Sequence, residues 1–402
     1  MLKLALRNIL RQRARTSLTL TAIALGVASL VLSGGFVEDI LLHLREATIH
    51  SQLGHLQVYK HGQFASGGQH PYDFLIDNPD AIERAVDAVP GVVARADRVS
   101  FSGLISNRRG ELPILGEGIE PEREASIGSA ISMLAGRRLA ADDDFGIMVG
   151  EGLANALKLK VGDSIDLLLT TREGAMNTLD FKLVGVFRSL SKEYDARAVR
   201  VPLRAAQELT ATSGVNSVVV LLADTDLTAR ARADLETRLP PGFEVKTWQE
   251  LADFYNNTAA LYERQFGVLQ VIILVMVLLS VANSVNMTLH ERMPEFGIMR
   301  ALGRTGRDVF RLAVLETALL GVIGAALGVA VGSILAWIIS AIGIPMPPPP
   351  NSESGFTAAI RIVPMILAAA FALGIFASIG ASLLPARHLA RIPVVEALRR
   401  GV

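Results

Sequence analysis

Residues 291–304 read Glu291-Arg292-Met293-Pro294-Glu295-Phe296-Gly297-Ile298-Met299-Arg300-Ala301-Leu302-Gly303-Arg304. They stand between two long apolar runs, Phe266 to Leu289 and Leu312 to Ile344. The segment is too short to be a domain. A charged connector of this size between two membrane spans faces water, and its arginines at 292, 300 and 304 assign it to the cytoplasmic side by the positive-inside bias. At helical spacing Phe296, Met299 and Leu302 fall at i, i+3 and i+6, one apolar face with Glu295, Arg300 and Arg304 around it. The pattern predicts a short helix lying along the membrane and able to press on a partner below.

Working outward, 265–289 reads as a span preceded by a stalk helix over 249–262, with no turn signal between them. On the other side, span 309–342 holds Gly321, Gly324, Gly328 and Gly332. The last three recur every four residues, so they share a helix face on which another backbone can approach closely. Glu316 is the one carboxylate inside a predicted span. Such a group is costly there unless paired, so a functional or registry role is expected, with Arg300 and Arg311 as candidate partners. The loop 343–361, with Pro345 and Pro347 to Pro350, cannot be helical and returns outside. A fourth span follows at 362–385, and Arg387, Arg391, Arg399 and Arg400 hold the tail 386–402 inside.

At the N-terminus, residues 1–15 carry Lys3, Arg7, Arg11, Arg13 and Arg15 and no acid, with Leu2, Leu6, Ile9 and Leu10 on one helical face. This predicts an amphipathic cytoplasmic helix on the anionic inner leaflet. Residues 16–37 are uncharged and long enough to cross the hydrocarbon core. Their apolar run exceeds that of a signal peptide and no clear A-x-A follows, so they read as a retained span. Four spans with both termini cytoplasmic satisfy the charge bias of every loop.

Residues 38–264 change character: charges, turns and short alternating runs replace the apolar blocks. The first span places this domain outside. Asp39 to Ile49 continues the first helix as a stalk. Helices are expected at 79–89, 202–209 and 227–239, and strands at 92–105, 111–119, 164–170, 181–187, 215–222 and 243–247. The expected arrangement is an α/β lobe built from both ends of the region, with a β-rich lobe of about 100–200 inserted.

The chain is 50% hydrophobic with mean hydropathy +0.40, which fits membrane and water-soluble parts together. Zero net charge, from 39 basic and 39 acidic residues, gives no global field for nucleic acid. The absence of cysteine excludes disulfides, thiolate metal sites and cysteine nucleophiles. None of the seven lysines follows a glycine, so the phosphate-binding pattern G-x-x-x-x-G-K-S/T is impossible. If ATP drives this protein, ATP and magnesium belong to another polypeptide, and no cofactor or metal is expected on this chain. His50, His55, His61 and His70 match no ligand spacing and read as a surface of loop and strand. Asp142 to Asp144 lacks the calcium-loop pattern. No nucleophile elbow is present, so a non-catalytic subunit is expected.

The run from Arg292 through Gly303, with Phe310 and Glu316 after it, resembles the cytoplasmic coupling segment of FtsX-like and MacB-like ABC transporter permeases. Pro385-Ala386-Arg387 with Pro393 to Arg399, including Glu396 and Leu398, is similar to the closing motif of that family, and Leu4 to Arg11 to its first helix. Gly150 to Asp163 resembles the signature of the MacB-like periplasmic core domain. The resemblance spans the chain. It implies an α-helical membrane protein of the bacterial inner membrane, with four transmembrane helices and a large extracytoplasmic α/β domain between helices 1 and 2. Its layout most resembles that of the lipoprotein-releasing branch. Glu291, Arg292, Glu295, Phe296, Gly297, Met299, Arg300, Ala301, Leu302 and Gly303, within a connector of 290–308, would take up the motion of a cytoplasmic ABC ATPase dimer. Stalks would pass that motion outward, a mechanism called mechanotransmission. Expected partners are that ATPase, a second copy or a related permease, membrane lipid, and a lipoprotein or other periplasmic partner. A signalling role, activating an extracytoplasmic partner such as a cell-wall hydrolase, is the alternative.

Overall fold

The computed structural model describes residues 13–64, 71–189, 191–346 and 356–393. The expected helix over 1–15, His70, Pro347 to Pro350, Glu396 and Leu398 therefore lie wholly or almost wholly outside the described residues. In chain order the elements are α1 (Arg13–Thr48), a π-helical turn (Ile49–Leu53), β1 (Leu56–Lys60), α2 (Asp80–Asp87), β2 (Val92–Ser106), β3 (Glu111–Ile119), α3 (Pro121–Ile127) and β4 (Ser132–Gly136). Then come β5 (Gly146–Gly150), α4 (Glu151–Leu157), β6 (Ser164–Thr170), β7 (Met176–Arg188), α5 (Lys192–Asp195), β8 (Ala198–Pro202), α6 (Leu203–Thr210), β9 (Ser217–Leu222), α7 (Thr228–Arg238) and β10 (Phe243–Thr247). The chain ends with α8 (Trp248–Leu251), α9 (Asp253–Glu291), α10 (Met293–Ala301), α11 (Gly306–Ile342), short strands β11 (Ile344–Met346) and β12 (Phe356–Ala358), and α12 (Pro364–Arg391). Contacts divide it into two units, residues 1–42, 258–345 and 357–402, and residues 43–257 with 346–356.

In the first unit, α1, α9, α11 and α12 are long and apolar enough to cross a membrane. Packing between such helices has no hydrophobic drive, because lipid tails are as apolar as leucine; close van der Waals contact has to supply it. The glycines of α11 do this against α1. A Cβ built on Gly324 would stand 2.9 Å from Ile23, one on Gly328 2.7 Å from the Ala24 carbonyl oxygen, and one on Gly332 3.1 Å from the Ala28 Cα. Gly321 turns to α12, where its Cβ would lie 2.8 Å from that of Ser378. The Thr19 and Ser284 hydroxyls join α1 to α9. The segment before α12 is tied to α1, since the Ala359 amide donates to buried Asp39 at 2.8 Å and the Arg361 amide to the Gly35 carbonyl at 3.1 Å. Where the sequence suggested a fourth span closing at 385, α12 carries Pro385 within it and runs on to Arg391.

The second unit is built on one ten-stranded sheet, ordered β10-β1-β9-β2-β3-β8-β5-β7-β4, with β6 pairing β2 and β7. The long strand β2 holds it together: Val92 to Arg98 pair antiparallel with β9, and Arg98 to Ser106 pair with β3. The β-rich stretch of about 100–200 is thus continuous with its flanks through shared hydrogen bonds rather than a lobe set apart. Val99, Ile105, Phe181, Val201 and Val220 are among its buried side chains. Gly150 and Gly152 are glycine because the Asp195–Ala196 backbone crosses directly over them; a Cβ at either would come within 2.9 Å or less of a backbone atom.

His55 is not on the surface, as the sequence suggested, but buried, accepting from the Leu222 amide at 3.1 Å and pairing with the Thr225 hydroxyl at 3.0 Å. Burial, with His50 beside it, pushes its pKa down from 6.5 to about 4. Burial, with Glu120 and Glu83 near, pushes Asp97 up from 3.8 to about 7. His55 folds neutral, so its contribution is complete above pH 6.5 and is lost as pH falls toward 4. Asp97 favours the protonated form, so its contribution is complete below pH 3.8 and is lost as pH rises through 7. The two slopes oppose. Asp97→Asn should therefore make the melting temperature fall more steeply than in the wild type on acidification from about pH 6.5 to 4.5; parallel melting curves would contradict the opposition.

A second expectation concerns the helix contact. Gly328→Leu should destabilise the protein by about 1–3 kcal/mol, as overpacking does. Gly380→Leu, at a glycine with nothing within 4 Å of a built Cβ, should leave melting in micelles unchanged. Equal melting of the two variants would argue against the close approach.

Candidate functional site: the segment 291–304 and its anchors

Two sequence signals bound this short helix. α9 stops at Glu291, Arg292 makes the turn, and Pro294 sits in the first turn of α10, where its missing amide proton costs nothing. At the other end Gly303 adopts φ +92°, a left-handed conformation suited to glycine. The Arg304 amide then reaches the Met299 carbonyl at 3.1 Å and the Gly303 amide that of Arg300 at 3.1 Å, a Schellman motif. Thr305 starts α11 immediately with a capping box to Asp308.

α10 is fastened at both ends. Arg292 donates from Nη1 to Glu316 Oε2 at 2.6 Å and from Nε to Glu295 Oε2 at 3.0 Å, and its guanidinium lies 5.1 Å from the centre of the Phe296 ring. Both Arg292 and Glu316 are buried. The partner of Glu316 is therefore Arg292, not Arg300 or Arg311. Arg300 instead donates to the Ile392 carbonyl just past α12. Beside it, a Cβ on Gly306 would meet the Ala390 carbonyl oxygen at 2.6 Å, so α11 begins against the end of α12.

The faces differ from the sequence expectation. Met293, Phe296 and Gly297 are buried, and the first two pack into a cluster with Leu289, Val309, Leu312 and Leu389. Met299 and Arg300 are half-buried. Leu302 is 81% exposed: its amide still bonds the Ile298 carbonyl at 3.0 Å, so it keeps the helical register, and six steps of about 100° place it well round the axis from Phe296. The outward surface consists of Glu291, Glu295, Ile298, Ala301, Leu302, Gly303 and Arg304. Two large apolar side chains, Ile298 and Leu302, stand exposed among its charges. Of the closing motif, Pro385 lies inside α12, while Arg387 and Pro393 are exposed. Among the described residues, no three acidic or histidine side chains come together as a metal site.

The model of the MacB-like periplasmic core domain matches residues 16–238, and that of the FtsX-like permease C-terminal region matches residues 267–394. The chain belongs to the MacB-like and FtsX-like permeases. The lipoprotein-releasing system transmembrane protein LolC of Xylella fastidiosa is 26% identical to it over 408 residues, covering 95% of this chain and 92% of that protein. LolE of Haemophilus influenzae, from the same kind of system, is 24% identical over 397 residues, covering 94% and 92%. The periplasmic region of MacB from Actinobacillus actinomycetemcomitans superposes with a TM-score of 0.39 at 13% identity, over 54% of this chain and 98% of that one. The permease is thus of the ABC transporter type, a multi-pass protein of the bacterial inner membrane with a MacB-like α/β periplasmic domain between its first two spans. Its family implies a cytoplasmic ATPase as partner and allows for a dimer.

Sequence reasoning chose both Arg292 and Glu316 but did not join them. Breaking a buried pair leaves an uncompensated charge, so Arg292→Met and Glu316→Met should each cost about 3–5 kcal/mol, and the double variant less than their sum. Unfolding in detergent, followed for all three variants, measures this; strictly additive losses would dissolve the pair.

Proposed function

We propose that the permease couples ATP hydrolysis on a separate cytoplasmic ATPase to movement of its periplasmic domain, and that its cargo is lipoproteins or other amphiphiles. The observation that carries this reading is the fastening of α10, a nine-residue helix pinned through Arg292–Glu316 to α11 and through Arg300 to the end of α12, with Glu295, Ile298 and Leu302 turned outward. A helix held so cannot yield when pushed; its displacement passes to the spans that hold it. The basic residues Arg300, Arg304, Arg307, Arg311, Arg387 and Arg391 near the ends of these spans favour the cytoplasm for this side, and hence for both termini. The likeness to LolC and LolE over nearly the whole chain supports acylated proteins as the cargo class.

Purification of the tagged permease from its native membrane should recover an ABC ATPase and acylated proteins. Leu302→Asp should weaken the ATPase association at least about tenfold, as expected for a central apolar contact. Glu316→Gln should keep the ATPase bound yet make hydrolysis independent of cargo. Recovery without any ATPase would refute the reading; an ATPase with a soluble hydrolase and no lipid would transfer it to signalling.

A further inference from the structure

α1 ends in a wide π-helical turn, Ile49–Leu53, and every carbonyl of that turn is taken by a group outside an ordinary helix ladder. The Ile49 carbonyl accepts from the Gly54 amide at 2.9 Å and that of His50 from the Ala130 amide at 2.9 Å. Ser51 accepts from Arg200 Nη2 at 3.2 Å, Gln52 from Arg98 Nη1, and Leu53 from Gln57 Nε2 at 2.7 Å. The last carbonyls of a helix have no partner within it and must find one elsewhere. Here three of them meet donors from three separate places in the fold: the loop after α3, strand β8 and strand β2. Ile49 itself is fully buried, in a cluster with Ala96, Ile127, Val219 and Trp248.

The two arginines are themselves fixed. Arg98 and Arg200 are 3% and 1% exposed, which is tolerable only because carboxylates are paired with them. Arg98 is held by both oxygens of Glu124, and Arg200 by Glu117 at 3.1 Å, with Glu124 3.6 Å away. Tyr194 donates to Glu117 at 3.1 Å. Burial alone would raise the Glu117 pKa, but Arg98 and Arg200 overcome it and hold the group below its ordinary range. Two cations and two anions close the network without net charge. The Arg98 guanidinium spends its Nε–Nη2 edge on Glu124 and Nη1 on the Gln52 carbonyl, a division that a lysine ammonium cannot reproduce, while Arg200 shares Nη2 between Glu117 and the Ser51 carbonyl.

We infer that the π turn 49–53, gripped by Arg98 and Arg200, is the joint through which load on the first span's helix enters the sheet of the periplasmic domain. The inference rests on the coupling reading above and assigns it a point of entry. A turn held only by apolar packing could rotate or slip; one whose successive carbonyls are bonded to different strands cannot move without moving them. The arginines are positioning residues and touch no cargo.

The test uses the full chain with its copurified ATPase in nanodiscs. The chain lacks cysteine, so Glu173→Cys and Ile342→Cys accept one spin label each. Arg98→Lys and Arg200→Lys keep the charge, and each should speed amide exchange over residues 51–54 at least about tenfold, the value of a charge-assisted hydrogen bond, while β1 and β9 keep their protection. Arg232→Lys, in an exposed pair with Glu236, should do nothing. The lysine variants should also hydrolyse ATP while losing most of the ATP-dependent change in label distance. Unchanged exchange over 51–54 overturns the joint, as does a distance change of wild-type size in both variants. A wild type whose labels never move with ATP sinks the coupling reading, and the joint with it as a load path. If the lysine variants fail to accumulate, Tyr194→Phe takes their place; it should shift both readouts the same way by a smaller amount, and no shift in either overturns the joint.

Discussion

A guanidinium and a carboxylate held 2.6 Å apart at the edge of a membrane span decide much of this molecule. Neither Arg292 nor Glu316 could stay charged and buried alone, so each requires the other in place. The pair fixes the turn from α9 into α10 against α11, and with it the angle at which the short helix leaves the bundle. Phe296 completes the arrangement by offering its ring face to the same cation. Once α10 is set, its outward residues are set too, and the contact offered to a partner follows from an electrostatic requirement inside the protein.

Much of this was legible in the sequence. The spans followed from length and hydropathy, and the hairpin of β2 and β3 from two alternating runs around Asn107, whose side chain accepts from the Arg109 and Gly110 amides. What escaped the reading was tertiary. Glu316 and Arg292 lie 24 residues apart with a helix break between, and no periodicity ties them. Leu302 continues the i, i+3, i+6 spacing from Phe296, but six steps of about 100° carry it roughly 120° round the helix from that residue and out of the buried side. α3 was missed because Glu124 and Ile127 are its only buried residues, too few to make an apolar rhythm. His55 takes its burial from Leu222 and Thr225, about 170 residues along the chain.

The protein handles polar groups differently in its two units. Among the spans it relies on small residues, with backbones brought close enough that a methyl group would intrude, and on very few charges. In the water-soluble domain it places four ionised groups and a tyrosine inside the fold and pairs them with one another and with a helix end. Both solutions fix geometry more than they lower energy. Glycine stripes admit one spacing between helices, and forked guanidinium groups admit one orientation of their acceptors.

The nine residues of α10 run from Met293, with Pro294 in the first turn and the left-handed Gly303 just past the end, and this sets a constraint of length as well as of composition. Each residue of an α-helix advances the side chains by about 100° around its axis. One residue gained or lost between those punctuation marks would swing Ile298 and Leu302 away from Phe296 and Met293 by that angle, leaving the anchors and the outward face irreconcilable. Among natural variants of this protein, insertions and deletions within α10 should therefore be nearly absent.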